Sequence, residues 1–221
     1  MTPVDDVELF AKLGERKYMK RLLKYGELYF RPLHEFAEMD EMDGIGDKLE
    51  TAINYTSPLN PEITLRSQDG WEFKLSKGAR ISYHMHDRSK GGHIYSMLIL
   101  DCEYITNDHL RIKNQNELSQ IGHNYGSMVI ICDCETFISR ITQKIDELGY
   151  ELYYAPVSYY PEEDVINKTV SPFEKREKYS YQKEFRFIVD CGLKDSFVLQ
   201  IGNIEDIATL THKKLKIQRK P

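Results

Sequence analysis

The chain has 221 residues, 41% of them hydrophobic and 29% charged, with a formal net charge of −5. That is enough apolar material for one sizeable core, and it excludes global disorder and a chain-wide basic footprint for nucleic acid. No run reaches the ~18 consecutive apolar residues that a membrane-spanning helix needs. The acidic opening Met1-Thr2-Pro3-Val4-Asp5-Asp6 lacks a secretory pattern, so a cytoplasmic protein without a membrane partner is expected.

Asp5 and Asp6 predict the cap of a short helix running through Phe10 and Leu13, which Gly14 interrupts. Glu15 to Tyr25 reads as a second helix with Tyr18, Met19, Leu22 and Leu23 inward and Gly26 as its stop. Its other face carries Arg16, Lys17, Lys20, Arg21 and Lys24, a solvated face or a local attraction for phosphate. Leu28 to Arg31 is a short strand ended by Pro32, followed by an acidic loop over Glu38 to Glu50. From Ala52 to Tyr83 short strands alternate with turns, and Asp69-Gly70 marks a hairpin.

His93 to Cys102 and Ser127 to Cys132 are apolar enough for central strands. Asp133 caps a helix from Cys134 to Leu148 with Phe137, Ile138, Ile141, Ile145 and Leu148 as its inward stripe. Glu151 to Tyr160 alternates as a strand, and Glu162 to Ser171 reads as a polar connection. Glu184 to Val189 and Phe197 to Ile201 are further strands, with a short helix at Ile204 to Leu210 and a basic tail over Lys213 to Lys220. Strands outnumber helices and cluster irregularly. The expected fold is one α+β domain over residues 1–221, a mixed or antiparallel twisted sheet with flanking helices.

Motifs for familiar chemistry are absent: no phosphate-loop glycine pattern, no G-x-S-x-G, no H-E-x-x-H. Asp40, Asp43, Asp47 and Glu50 do not fall at calcium-loop spacing, and His84-x-His86 has no nearby third ligand, so no metal site is assigned. Cys102, Cys132, Cys134 and Cys191 lie in or beside apolar runs and read as buried reduced thiols. Tyr125, in His123-Asn124-Tyr125-Gly126, stands at the mouth of a strand, where polar groups line a cleft or simply pack in a turn.

The closing segment carries the sharpest chemistry. Alternation places Gln182, Glu184 and Arg186 on one face of a strand, with Phe185 and Phe187 opposite. Arg186 or Lys175 keeps Glu184 ionised. A carboxylate so fixed stabilises a developing cation or polarises a hydroxyl, or else is one half of a surface ion pair.

Tyr25 to Phe30, Asp47 to Glu50, Tyr125-Gly126, Val157-Ser158-Tyr159 and Phe173 through Arg186 follow a familiar order. In that order the chain resembles an uncharacterised bacterial domain family met near phage-defence and abortive-infection genes, although Gln182 stands where that family has an acidic residue. Arg31, Tyr125 and Gln182-x-Glu184 together also resemble, more loosely, the ADP-ribosyltransferases. That likeness implies NAD as cofactor: Arg31 on the pyrophosphate, Tyr125 stacked on nicotinamide, Glu184 on the ribosyl cation and Gln182 aiding the acceptor. Three functions follow as expectations. The first is an NAD-using transferase of bacterial or phage conflict. The second is a non-catalytic module that holds a nucleotide or a protein in a cleft lined by Arg31, Tyr125 and Arg186. The third is a metal-dependent nuclease or nucleic-acid-acting toxin.

Overall fold

The computed structural model describes residues 6–39, 52–57, 64–74, 83–86, 92–106, 109–116, 121, 126–161 and 165–212. The fold is α+β. It opens with β1 (Asp6–Gly14), α1 (Arg16–Tyr25), β2 (Glu27–Pro32) and α2 (Leu33–Glu38). Four short strands follow: β3 (Ala52–Ser57), β4 (Thr64–Arg66), β5 (Glu72–Lys74) and β6 (Tyr83–His86). Then come β7 (His93–Thr106), β8 (His109–Ile112), β9 (Ser127–Ile131) and α3 (Cys134–Glu147). The chain continues through β10 (Glu151–Pro156), β11 (Ser158–Tyr160), β12 (Val165–Thr169), β13 (Glu174–Arg176) and a 3-10 turn (Glu177–Gln182). It closes with β14 (Glu184–Asp190), β15 (Phe197–Gln200) and β16 (Ala208–His212).

Nine strands form the main sheet, in the order β10-β14-β7-β1-β9-β16, with β2 and β8 also on β7 and β15 on β2. Every ladder described in it is antiparallel. The hairpin expected at Asp69-Gly70 joins β4 to β5, and β12, β3 and β6 make a separate three-stranded sheet. The residues expected as a polar connection after Glu162 therefore contain a strand, β12.

The predicted first helix is instead β1. It lies between β7 and β9, which pair both of its edges, and both of its faces are covered as well. Leu9 and Ala11 pack with Leu98, Leu100 and Met128, while Phe10 packs with Val129, Ile131 and Phe187 on the other side. A strand buried on both faces shows a nearly continuous apolar run instead of alternation, and such a run is easily read as a helix.

Asp133 caps α3 as expected, its carboxylate accepting the Thr136 N–H at 2.9 Å. Phe137, Ile141 and Ile145 are fully buried, but Leu148 is 51% exposed because the helix ends before it. The predicted helix at Ile204 to Leu210 is a turn followed by β16, which pairs with β9 from Ala208 opposite Ile131. A ladder along β9 satisfies more backbone groups than about two helical turns would.

Gly26 ends α1 in the left-handed region, at φ +60. Its carbonyl accepts Ile201 N–H at 3.1 Å, and a Cβ there would stand 2.3 Å from the Gly202 carbonyl oxygen. Only glycine lets these two turns meet so closely. Among the described residues no helix is long and apolar enough to cross a membrane.

Candidate functional site

The register of β7 sets the geometry. Arg186 lies opposite Ser96 and Glu184 opposite Leu98, while Arg31 lies opposite Ile94 on the other side of β7. Since paired residues share a face and side chains alternate, Arg31, Glu184 and Arg186 stand on the same face of the sheet. Phe185 and Phe187 take the opposite face, where Phe187 packs against Phe10, Tyr95 and Phe137.

Lys175 arrives from β13, which pairs in parallel with β11. Its ammonium donates to Gln182 Oε1 at 2.8 Å and reaches Glu184 Oε2 at 3.4 Å. Arg186 Nη2 donates to the same Glu184 oxygen at 3.0 Å, and its Nη1 donates to the Pro172 carbonyl. The Tyr159 hydroxyl accepts the Glu184 N–H at 2.9 Å. Lys175, Gln182 and Arg186 are 3%, 7% and 2% exposed, and the Glu184 side chain 15%.

Burial alone would push the Glu184 carboxyl upward. The charges of Arg186 and Lys175, with a hydrogen bond from the Ser96 side chain, outweigh it and hold the carboxyl well below the usual carboxylate range. Glu184 is thus ionised and clamped.

Gln182 reaches this cluster by a route that alternation does not foresee. It ends the 3-10 turn, not a strand. Lys183 then adopts φ +42, the one non-glycine residue in the left-handed region among those described, and this kink sets Gln182 beside Glu184.

Arg31 is less committed. It pairs with Glu35 at 3.3 Å, with 28% of its side chain exposed, and lies over the rings of Tyr29 and Phe36. Lys12 comes from the opposite face, with Phe10, yet lies within electrostatic reach of Glu184 and Arg31; it was missed in the sequence, where it sits inside the apolar run Phe10-Ala11-Lys12-Leu13. Its ammonium donates to the Ser96 carbonyl at 2.6 Å and lies 4.4 Å above the Tyr95 ring. Burial lowers its pKa to about 8; Glu184 opposes the shift and Arg31 adds to it. Its signal in the sequence was the lone charge among buried neighbours.

Tyr125 and the loop from Asp40 to Glu50 lie outside the described residues. The cysteines are less buried than expected: only Cys102 is buried, while Cys132 is exposed and Cys134 and Cys191 are intermediate. Among the described residues no three His, Cys, Asp or Glu side chains gather to hold a metal. A cleft of about 430 Å³ opens beside Pro32, next to Arg31, and does not include Glu184. For an NAD-like ligand the residues fit in part: Arg31 and Glu184 reach solvent on one face, whereas Gln182 and Lys175 are turned to each other. Comparison with family models, with curated proteins and with solved structures gives no match.

Proposed function

We propose that this protein is a binding module for an anionic, nucleotide-like small molecule, acting in conflict between bacteria and phage. The observation that carries the reading is the run of basic groups around the middle of β7: Lys175 and Arg186 hold Glu184, Arg31 stands across β7 on the same face, and Lys12 lies within electrostatic reach of both Arg31 and Glu184. The lowered pKa of Lys12 reports an ammonium in poorly hydrated surroundings, pressed further by Arg31. Phosphate oxygens placed at Arg31 would offset the repulsion between the two cations. Arg31 and Glu184 are the members that reach solvent, and Lys175 and Arg186 hold Glu184 from behind. The setting rests on the resemblance in segment order to phage-defence chains, and four free cysteines fit a reducing cytoplasm.

Calorimetric titration with NAD, ADP-ribose and ADP tests the reading. One of the three binds, and Arg31→Ala weakens it about tenfold or more, the worth of a charge-assisted contact, with an unchanged circular dichroism spectrum. Equal affinity in Arg31→Ala, or no binding of any of the three, ends the proposal.

A second reading, ADP-ribosyl transfer, is favoured by one observation: Gln182 and an ionised Glu184 share one cluster. It requires release of nicotinamide from NAD by the unmodified protein. A bound NAD that stays intact leaves capture as the function.

A further inference from the structure

A second constellation lies at the end of β7 that is remote from β8. His93 begins β7 and pairs with Val189 of β14, so the chain just past β14 passes close to its ring. The Cys191 sulfur stands 3.3 Å from His93 Nδ1. The other ring nitrogen, Nε2, is 3.0 Å from the Asp195 carbonyl oxygen. A carbonyl only accepts, so Nε2 carries the ring hydrogen and Nδ1 is left as the acceptor for the Cys191 thiol. The imidazole is 3% exposed and packs against Phe197 at 5.4 Å, which fixes its plane. Cys191 is unbridged and partly exposed.

Both residues line the cleft of about 430 Å³, together with His34, Asp190, Gly192 and Lys194. A nucleophile, a base within reach of it, a group that orients the base and a cavity for a reactant are the four parts of a thiol–imidazole acyl-transfer site. Here the orienting group is a backbone carbonyl in place of the usual side chain.

We propose that Cys191 and His93 form a nucleophilic dyad and that the cleft takes a small, activated acyl group, an ester or a thioester. The thiol proton passes to His93 Nδ1 as the sulfur attacks the acyl carbon. The carbon–leaving-group bond breaks, and the alcohol or thiol departs with the proton returned by His93. The product is an S-acyl Cys191. Water, giving a proton to Nδ1, then attacks the same carbon; the carboxylic acid leaves and the thiol is restored. No oxidation state changes, and no co-reactant besides water is needed. This site is separate from the basic cluster around Glu184, and its chemistry stands whether or not a nucleotide binds there.

The test uses the four cysteines of one molecule against each other. The full chain is treated with limiting iodoacetamide, then separately with p-nitrophenyl acetate, and each cysteine peptide is quantified by mass spectrometry. Cys191 is carbamidomethylated about tenfold faster than the exposed Cys132 at neutral pH, the advantage expected of a base-assisted thiol. The acetyl group appears on Cys191, and Cys191→Ser removes both the acetyl-peptide and any burst of p-nitrophenol. In His93→Gln the advantage of Cys191 disappears while Cys132 reacts as before. Should that variant fail to fold, the ratio of Cys191 to Cys132 in the unmodified protein decides the matter. Equal or slower reaction of Cys191, or acetylation confined to other residues, overturns the proposal.

Discussion

Replacing Glu184 with glutamine tests whether the carboxylate is the element that makes this arrangement stable. The substitution keeps the shape and removes the charge. It leaves Lys175 and Arg186, at 3% and 2% exposure, facing a neutral amide in place of the oxygen they share. Breaking a buried ion pair from one side costs ~3–5 kcal/mol, because the remaining charge stays desolvated. With 15% of the Glu184 side chain reaching solvent, the lower end applies, about 3 kcal/mol. In a urea titration at about 2 kcal/mol per molar, the midpoint falls by about 1.5 M. A second signature comes from pH. The folded carboxyl titrates below its ordinary 4.5, so between that value and its depressed one the unfolded chain binds the extra proton. The stabilisation from Glu184 is therefore complete above pH 4.5 and is lost as the pH falls below it. In Glu184→Gln this part of the acid slope is absent. A midpoint change under about 0.5 M, or an unaltered acid slope, would refute the reasoning and return Glu184 to the status of an ordinary surface pair.

Lys12 gives a dependence of the same sign at higher pH. Its pKa falls from 10.5 unfolded to about 8 folded, so the unfolded chain holds the proton through that interval and stability rises with pH across it. Urea midpoints at pH 7.5 and pH 10 should show a rise of up to about 3 kcal/mol that Lys12→Met lacks; parallel curves for the two proteins count against it. Gly26→Ala meets both a positive φ and a carbonyl oxygen 2.3 Å from the new Cβ, whereas Gly70→Ala meets a positive φ in open space. Scanning calorimetry should find Gly70→Ala about 1 kcal/mol less stable and Gly26→Ala more than about 2 kcal/mol less stable. Similar losses in the two would mean that the approach of the Gly26 and Gly202 turns relaxes freely.

The α+β character was legible because the elements that decide it carry local signals. The stripe of α3 and its Asp133 cap lie within one stretch of chain, and the alternation of β14 separates Glu184 and Arg186 from Phe185 and Phe187 by itself. What failed depended on neighbours far along the chain. β1 hides its period because it is paired on both edges by β7 and β9 and packed on both faces by apolar clusters. β16 is a strand because β9 offers it a ladder, a fact that no residue within Ile204 to His212 announces. The candidate site divides in the same way. Glu184, Arg186 and their link to Lys175 followed from spacing and charge. Lys12 enters only through the register of β1, and the neighbours of Cys191 only through the pairing of β14 with β7, since His93 lies 98 positions away.

The position of β7 also governs when this protein can finish folding. Its inner edges are completed from opposite ends of the chain, by β1 at Asp6 to Ala11 and by β14 at Glu184 to Val189. On a ribosome, β7 has left the tunnel long before β14 exists, and until then the stretch from His93 to Leu98 presents one unpaired edge. Such distant pairing makes closure slow, and it places the period of greatest risk during synthesis. Chains ending short of Glu184 would keep that edge open permanently, so the last third of the sequence acts as the seal on a sheet laid down in the first half.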